Sequence, residues 1–318
     1  MSNSKSRLFF LDAIRAWAIL MMLQGHFIDG LLDNAFRDNS NFLYSTWKYF
    51  RGITAPVFFT VSGFIFTYLL IKSPETGWDN PRVKKGLKRG LELLAIAYLL
   101  RINLFGIFKG EVYDSFYLVD VLHCIGLSLL FICGFYLLTF TKQKWIFPTI
   151  LISTTILLFL FEPTYKASSF DYLPQFLANY FSKSNGSVFT IIPWLGYATI
   201  GSFMSVLFSK YQSNKNLYSY IVPIYILTGL ILILFSSDFF YSIYELTGIQ
   251  LFQSIFNNNY LFIRLGDVLI VFSIFIILRK FLMNSTWLKI GSSTLSIYII
   301  HFIILYGSFT GIGLYRYF

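Results

Sequence analysis

Long apolar runs separated by short polar connections dominate the chain. An apolar run of roughly 20 residues is long enough to cross a bilayer as an α-helix. The pattern predicts an all-α fold, a polytopic integral membrane bundle of about 9–11 transmembrane helices that forms one domain over residues 1–318. The nine clearest runs are 9–32, 50–72, 90–108, 118–140, 145–162, 188–208, 217–236, 259–279 and 287–309.

Two connections, 163–187 and 237–258, are apolar and aromatic but too short or too interrupted to span. Their central sequences are FDYLPQFLANYF and FFYSIYELTGIQLFQSIF. We expect both to lie in the membrane interface as amphipathic helices. A re-entrant segment in either connection would move the C-terminus to the other side of the membrane.

Composition agrees with a membrane protein. The chain is 56% hydrophobic and 13% charged, whereas a soluble domain carries about 25% charged residues. Its net charge of +10 collects in alternate connections, at 73–89, 141–144 and 209–216. Because basic connections face the cytoplasm, we predict a cytoplasmic N-terminus and no nucleic-acid binding. The two cysteines, Cys124 and Cys133, provide neither a disulfide framework nor a metal-binding spacing.

The first run contains Asp12, Arg15, His26 and Asp29. Charged or titratable groups at membrane depth are costly, so four in one run indicate a functional site. Arg15 and His26 are eleven residues apart, which sets both on one helix face about 16 Å apart along the axis. One helix can therefore hold a phosphate near one surface and a general base deeper inside. Asp29, one turn beyond His26, suits a residue that orients the base.

The predicted topology brings most other buried polar groups to the outer half of the membrane. We therefore expect an outer polar cavity that binds substrate, lined by Arg51, Arg101, Asp120, His123, Arg264, Asp267 and His301. The cytoplasmic side offers a basic loop with Arg82, Lys84, Lys85, Lys88 and Arg89.

Each of these groups has a structural alternative. Arg264 and Asp267 can neutralise one another within a helix, and Asp120 and His123 can form a polar pair at the interface. His301 can be a packing residue. The basic loop can be a topology signal alone, and Asp12 can pair with Arg15.

Several segments, in order along the chain, resemble the transmembrane acyltransferase superfamily. LDAIRAWAILMMLQGH resembles its opening Asp, Arg and His signature, and APVFFTVSGFIFTYLL its Ser-Gly-Phe helix. RVKKGLKRGLELL resembles its basic loop, and SSTLSIYIIHFIILYG its closing Tyr and His helix. LVDVLHCIGLSLL is similar to the Asp-Val-Leu segment of the heparan-α-glucosaminide N-acetyltransferase branch, which is related to the acyltransferase-3 family. His123 stands where glutamine is expected in that branch.

The resemblance implies transfer of an acyl group, usually acetyl, from cytosolic acyl-CoA. The acceptor would be a sugar or lipid-linked glycan on the far side of the membrane. His26 would correspond to the catalytic histidine and Arg15 to its paired arginine. The implied co-substrate is acetyl-CoA or another acyl-CoA, with no metal. The implied setting is a lipid bilayer, as in a bacterial inner membrane, with a homodimer as a further option.

Physical chemistry and the resemblance together give a mechanism hypothesis. The CoA phosphates would stay at the basic loop and Arg15, and the thin pantetheine arm would bring the thioester to His26. His26 would take the proton of an acceptor hydroxyl or amine, with Asp29 or Asp120 fixing its tautomer. Direct transfer in a ternary complex is the favoured course; an acyl-histidine or an acyl-Ser62 intermediate is the alternative.

Two other classes of protein fit parts of the pattern. A proton- or solute-coupled transporter also carries buried charges on several helices, but the sequence has no internal repeat of the kind that transporters often have. The interpretation as a non-catalytic membrane scaffold does not explain why Arg15 and His26 lie on one helix face.

Overall fold

The computed structural model describes residues 8–282 and 285–316. Within these ranges the chain forms fourteen α-helices and no β-strand, which confirms the predicted all-α class. The helices are α1 (Phe9–Leu31), α2 (Phe42–Ile71), α3 (Pro81–Leu100), α4 (Leu104–Phe108), α5 (Val121–Thr139), α6 (Ile146–Leu160), α7 (Glu162–Lys166), α8 (Gln175–Ala178), α9 (Ile191–Tyr211), α10 (Leu217–Thr247), α11 (Gln250–Asn257), α12 (Tyr260–Ile277), α13 (Ser285–Ser292) and α14 (Thr294–Tyr306).

Five helices of the described chain, α2, α5, α9, α10 and α12, are long and apolar enough to cross a membrane. Helices α13 and α14, bent by 65° at a short break, together make a sixth. Helices α1, α3 and α6 coincide with predicted spans but are less clear, because charges interrupt α1 and α3 and α6 has only 15 residues. The chain is a polytopic helical membrane protein, with fewer clear spans in the described residues than the nine to eleven predicted.

The basic stretch 82–89 is not a loop, as the sequence predicted, but the first half of α3. The Asn80 side chain accepts a hydrogen bond from a first-turn backbone N–H, and Pro81 occupies the first helical position. Both features favour helix initiation. The span 90–108 was predicted from apolarity alone, so its predicted start lies nine residues after the start of α3 at Pro81. Its predicted end lies beyond the end of α3 at Leu100.

The two apolar connections differ from each other. In the second, α10 continues to Thr247 and ends at Gly248, whose φ of +67° suits glycine; α11 then forms a short amphipathic helix. In the first, 163–187, the structure has only the short helices α7 and α8. The amphipathic helix predicted there is wrong, because Pro174 interrupts the run and precedes a helix of four residues.

Helix α14 packs beside α1, so the first and last α-helices of the described chain are neighbours. Gly30 of α1 lies against Leu305 of α14, and Gly291 of α13 lies against the backbone of Asp12. The turn after α14 is fixed to the end of α3, since the Phe309 backbone N–H donates to the Ile102 carbonyl at 2.9 Å. These contacts position α14 at the candidate site.

Helices α2 and α9 cross at very close range in the middle of the bundle. A β-carbon at Gly63 would collide with the carbonyl of Ala198, and one at Gly201 with the carbonyl of Thr60. Without a hydrophobic driving force between helices in lipid, small residues stabilise the bundle by letting backbones approach.

We expect Gly201→Ala to destabilise the protein, because a backbone carbonyl cannot move away as a flexible side chain can. Overpacking costs about 1–3 kcal/mol, which outweighs the gain of up to about 1 kcal/mol from the better helix propensity of alanine. Thermal unfolding in detergent micelles measures the effect. Gly134→Ala is the matched control, since no atom lies within 4 Å of its added β-carbon. Equal melting temperatures for the two variants would contradict the prediction.

Candidate active site

His26 of α1 meets His301 of α14. Nδ1 of His26 lies 3.1 Å from Nε2 of His301, and the Tyr306 hydroxyl lies 3.5 Å from the same Nδ1. Within the described residues both polar contacts of His26 involve Nδ1, which leaves Nε2 for a substrate. The sequence predicted His301 as a substrate-binding residue, with packing as the alternative; the structure makes it the direct partner of His26.

Asp29 does not contact His26, although it follows one turn later on α1. Its carboxylate forms an ion pair with Arg51 of α2, and its backbone carbonyl accepts from the Arg37 guanidinium at 2.8 Å. Both members of the ion pair are partly exposed, with side-chain exposures of 35% and 42%. The pair therefore belongs to the solvated rim of the site.

Asp120 forms a second, buried charge cluster. Its carboxylate lies 3.3 Å from Nε of Arg101 and 3.0 Å from Nδ1 of His123. It also caps α5 by accepting from the Leu122 N–H at 3.0 Å. His123 is fully buried, and its ring meets the edge of Tyr98 at 4.5 Å between centroids. Asp120 and His123 therefore form a polar pair in the core rather than at the membrane interface, and this pair stabilises the start of α5.

These groups surround one cavity of about 410 Å³, the outer cavity. Five predicted site residues line it: His26, Asp29, Arg51, Arg101 and Asp120. Hydroxyl groups of two serines and three tyrosines join them: Ser115, Ser308, Tyr298, Tyr306 and Tyr315. Of the seven side chains predicted to line an outer polar cavity, three therefore do so, and His26 lies in the same wall. The other four do not line this cavity: His123, Arg264, Asp267 and His301.

Two further cavities lie toward the N-terminal end of α1. The middle cavity, about 230 Å³, has Arg15, Ser62 and Arg89 in its wall and shares Tyr298 with the outer cavity. The inner cavity, about 610 Å³, shares Ile65 and Leu69 with the middle one. Its wall includes Asp12, Lys72, Arg82 and Lys85. The three cavities thus adjoin in a row from a basic end to His26.

Arg15 points across the bundle rather than into solvent. Its guanidinium donates to the Thr294 hydroxyl at 2.8 Å and lies 3.9 Å from the Asp12 carboxylate. Arg15 therefore joins α1 to the start of α14 at the middle cavity, while His26 joins the same two helices at the outer cavity.

Some predicted site residues lie outside these three cavities. Arg264 contacts Asp267 at 2.8 Å and stacks over Tyr49 at 4.4 Å, while the Tyr49 hydroxyl donates to Asp267 at 2.7 Å. This closed cluster corresponds to the neutralised pair that was the structural alternative. Lys84 and Lys88 are exposed on α3 and line none of the three cavities; Lys88 lies 3.9 Å from Glu92.

Sequence reasoning missed Tyr298 and Tyr306 as site residues. Tyr298 lies three residues before His301, and hence on the same helix face, so the spacing carried a signal. Tyr306 is the last residue of α14 and had no comparable signal. Lys72, which follows α2 and lines the inner cavity, was also missed.

Comparison with known proteins gives one match. The family model described as heparan-alpha-glucosaminide N-acetyltransferase, catalytic, matches residues 7–244, which is more than half of the chain. No curated protein and no solved structure matches the chain.

We expect Asp120→Ala to lower the free energy of unfolding by about 3 kcal/mol, because it removes a helix cap and leaves the Arg101 guanidinium nearly buried without its carboxylate. Denaturant titration in mixed micelles measures the loss. Asp120→Asn should lose less, since its amide oxygen still caps α5. The exposed Asp171→Ala serves as the control and should stay within about 0.5 kcal/mol of the native protein. A loss no larger for Asp120→Ala than for Asp171→Ala would refute the assignment.

Proposed function

The chain belongs to the heparan-alpha-glucosaminide N-acetyltransferase catalytic family and is a membrane acetyltransferase, and from this premise we propose its donor, acceptor and base. The donor is cytosolic acetyl-CoA or another acyl-CoA. The acceptor is a hydroxyl or amine of a sugar or glycan at the extracytoplasmic side. His26 is the general base. Family membership favours this function over the alternative of solute transport.

The observation that carries the proposal is the row of three adjoining cavities. CoA has a polyanionic nucleotide and a thin pantetheine arm. Arg82 and Lys85 at the inner cavity suit the phosphates of the nucleotide, and Arg15 and Arg89 at the middle cavity suit the phosphate to which the arm is attached. Arg15 and His26 are separated by about 16 Å along α1, a distance that an extended arm can cover. Only the acyl group then needs to reach the outer cavity.

His26 acts through Nε2. This nitrogen takes the proton from the acceptor hydroxyl or amine as the acceptor oxygen or nitrogen attacks the thioester carbonyl. The carbon–sulfur bond breaks, and the imidazolium returns the proton to the thiolate, so CoA leaves as the thiol. With Nε2 as the base, Nδ1–H of His26 donates to Nε2 of His301, which fixes the tautomer. His301 therefore has the orienting role that the sequence gave to Asp29.

The remaining groups of the outer cavity suit the acceptor. Arg51 and Arg101 donate to sugar oxygens, while Asp29 and Asp120 accept from sugar hydroxyls and hold the two arginines in place. Direct transfer is favoured over an acyl-Ser62 intermediate, because the Ser62 hydroxyl donates to the Phe58 carbonyl at 2.7 Å and lies in the wall of the middle cavity rather than the outer one.

We propose a bacterial inner membrane as the location, with the N-terminus and the basic half of α3 in the cytoplasm. The support is the alternation of basic connections along the chain. This orientation gives cytosolic acyl-CoA access to the inner cavity and the acceptor access to the outer one.

We expect His26→Ala to lower kcat for acetyl transfer by roughly 10²–10⁴-fold, because the general base is lost. The assay follows transfer from radiolabelled acetyl-CoA to a sugar acceptor in proteoliposomes. Gln24→Ala, an exposed position on the same helix, is the control and should keep the native rate. Near-native turnover by a folded His26→Ala protein would rule out the base.

We expect Arg15→Ala to weaken CoA binding by about 10–100-fold, as the loss of a charge-assisted hydrogen bond to phosphate implies. Calorimetry with CoA in detergent measures the dissociation constant. Lys84→Ala removes a basic side chain from the same side of the protein without touching the three cavities and should leave the constant unchanged. Equal effects of the two variants would remove Arg15 from the donor site.

A further inference from the structure

A fourth cavity of about 400 Å³, the side cavity, lies beside the outer cavity. It is enclosed by α7, the connection that follows α8, and the starts of α9 and α12. Its walls combine aromatic rings, lysines, a carboxylate and hydroxyl groups, and include Glu162, Lys166, Lys183, Ser184, Trp194 and Tyr260. No step of the proposed acyl transfer involves this cavity.

Glu162 forms the polar floor of the side cavity. The residue is 4% exposed, and its Oε1 receives the Tyr260 hydroxyl at 3.4 Å and lies 3.2 Å from Nζ of Lys166. The Lys166 ammonium also lies over the Tyr260 ring at 5.6 Å. Both contacts go to Oε1, so Oε2 has no partner among the described residues and can accept hydrogen bonds from a ligand.

Lys183, from the connection that follows α8, supplies a donor to the side cavity. It is exposed and forms no ion pair within the part of the chain that the structure describes. Two neighbouring hydroxyl groups form a hydrogen-bonded pair, in which Ser182 Oγ donates to Ser184 Oγ at 3.0 Å. The cavity therefore has a charged donor, a carboxylate acceptor and hydroxyl groups that can do either.

The side cavity and the outer cavity are separated by a thin aromatic partition. Phe189 lines the outer cavity and Trp194 lines the side cavity, with ring centroids 4.7 Å apart. Hydrogen bonds to Val119 fix the partition, because the Phe189 N–H donates to the Val119 carbonyl at 3.3 Å and Ser187 Oγ accepts from the Val119 N–H at 3.1 Å. Val119 directly precedes Asp120, so the same segment supports both cavities.

We propose that the side cavity is a sugar-binding subsite for an oligosaccharide acceptor. A pyranose ring has hydroxyls that both donate and accept, and apolar C–H faces that pack on aromatic rings. Glu162, Lys183 and Ser184 match the hydroxyls, while Trp194 and Tyr260 match the ring face. The reacting sugar occupies the outer cavity, and another unit of the same chain reaches the side cavity past the edge of the partition. This proposal rests on the proposed function and deepens it, since it requires an acceptor of two or more sugar units.

The test is direct binding of sugars to the purified protein, without CoA. Calorimetry or saturation-transfer NMR compares the monosaccharide with the trisaccharide in three series: cello-, chito- and malto-oligosaccharides. We expect at least one series in which the trisaccharide binds tenfold or more tightly than the monosaccharide. Lys183→Ala, which removes the donor, and Ala167→Trp, which fills the mouth of the cavity from an exposed position, should abolish that gain but leave monosaccharide binding unchanged.

Matched controls are Lys109→Ala and Ala35→Trp, which make the same substitutions at exposed positions outside both cavities. The proposal is overturned if no series gains affinity with length, or if the controls lose the gain as well. It is also overturned if the gain disappears when phosphatidylglycerol is added to the micelles, which would assign the cavity to a lipid headgroup. Length-dependent binding in a protein that transfers no acetyl group would instead refute the proposed function alone.

Discussion

The contact between His26 of α1 and His301 of α14 is the interaction on which the candidate site depends. A lone imidazole between apolar helices would lose its hydrogen bonds to water, and a second helix must replace them. The contact at 3.1 Å exists because glycines let α13 and α14 approach α1, at Gly291 and Gly30. The same approach brings Tyr298 and Tyr306 into the wall of the outer cavity. The packing of α13 and α14 against α1 therefore determines the geometry of the candidate site.

The pairing of charges explains why His26 has an imidazole rather than a carboxylate as its partner. Asp29 is held by Arg51, and Asp120 by Arg101 and His123. A carboxylate bound to His26 would stabilise the imidazolium and so favour protonation of the ring before a substrate arrives, which leaves less of the neutral form. A second neutral imidazole fixes the orientation of the ring without adding a charge. The arrangement suits a histidine that must begin the reaction neutral.

The sequence predicted the features that depend on the local pattern of residues, such as helix positions and helix faces. It missed the features that depend on contacts between helices. Apolar runs located the main helices, and eleven-residue spacing put Arg15 and His26 on one face of α1. Apolarity could not locate the start of α3, because a helix can begin with basic turns when Asn80 and Pro81 initiate it. Nor could spacing show that Asp29 pairs with Arg51, since that choice depends on how α1 and α2 pack. The family resemblance agrees with the matched family model, whereas the residue roles remain predictions.

The charge of the cavity walls differs between the two ends of the row, so the two ends suit different kinds of ligand. At the outer cavity, Arg51 and Arg101 each have a carboxylate partner, so the wall has little net charge. Among the described residues of the middle and inner cavities, the acidic groups are Asp12 and the nearby Glu92, against five cations: Arg15, Lys72, Arg82, Lys85 and Arg89. The polyanionic donor of the proposed reaction would therefore be attracted to the inner end and would gain nothing by moving past Tyr298, whereas a sugar with balanced donors and acceptors would suit the outer end. Under that proposal, electrostatics would keep the nucleotide and the acceptor apart, and the acyl group would be the part that passes between them.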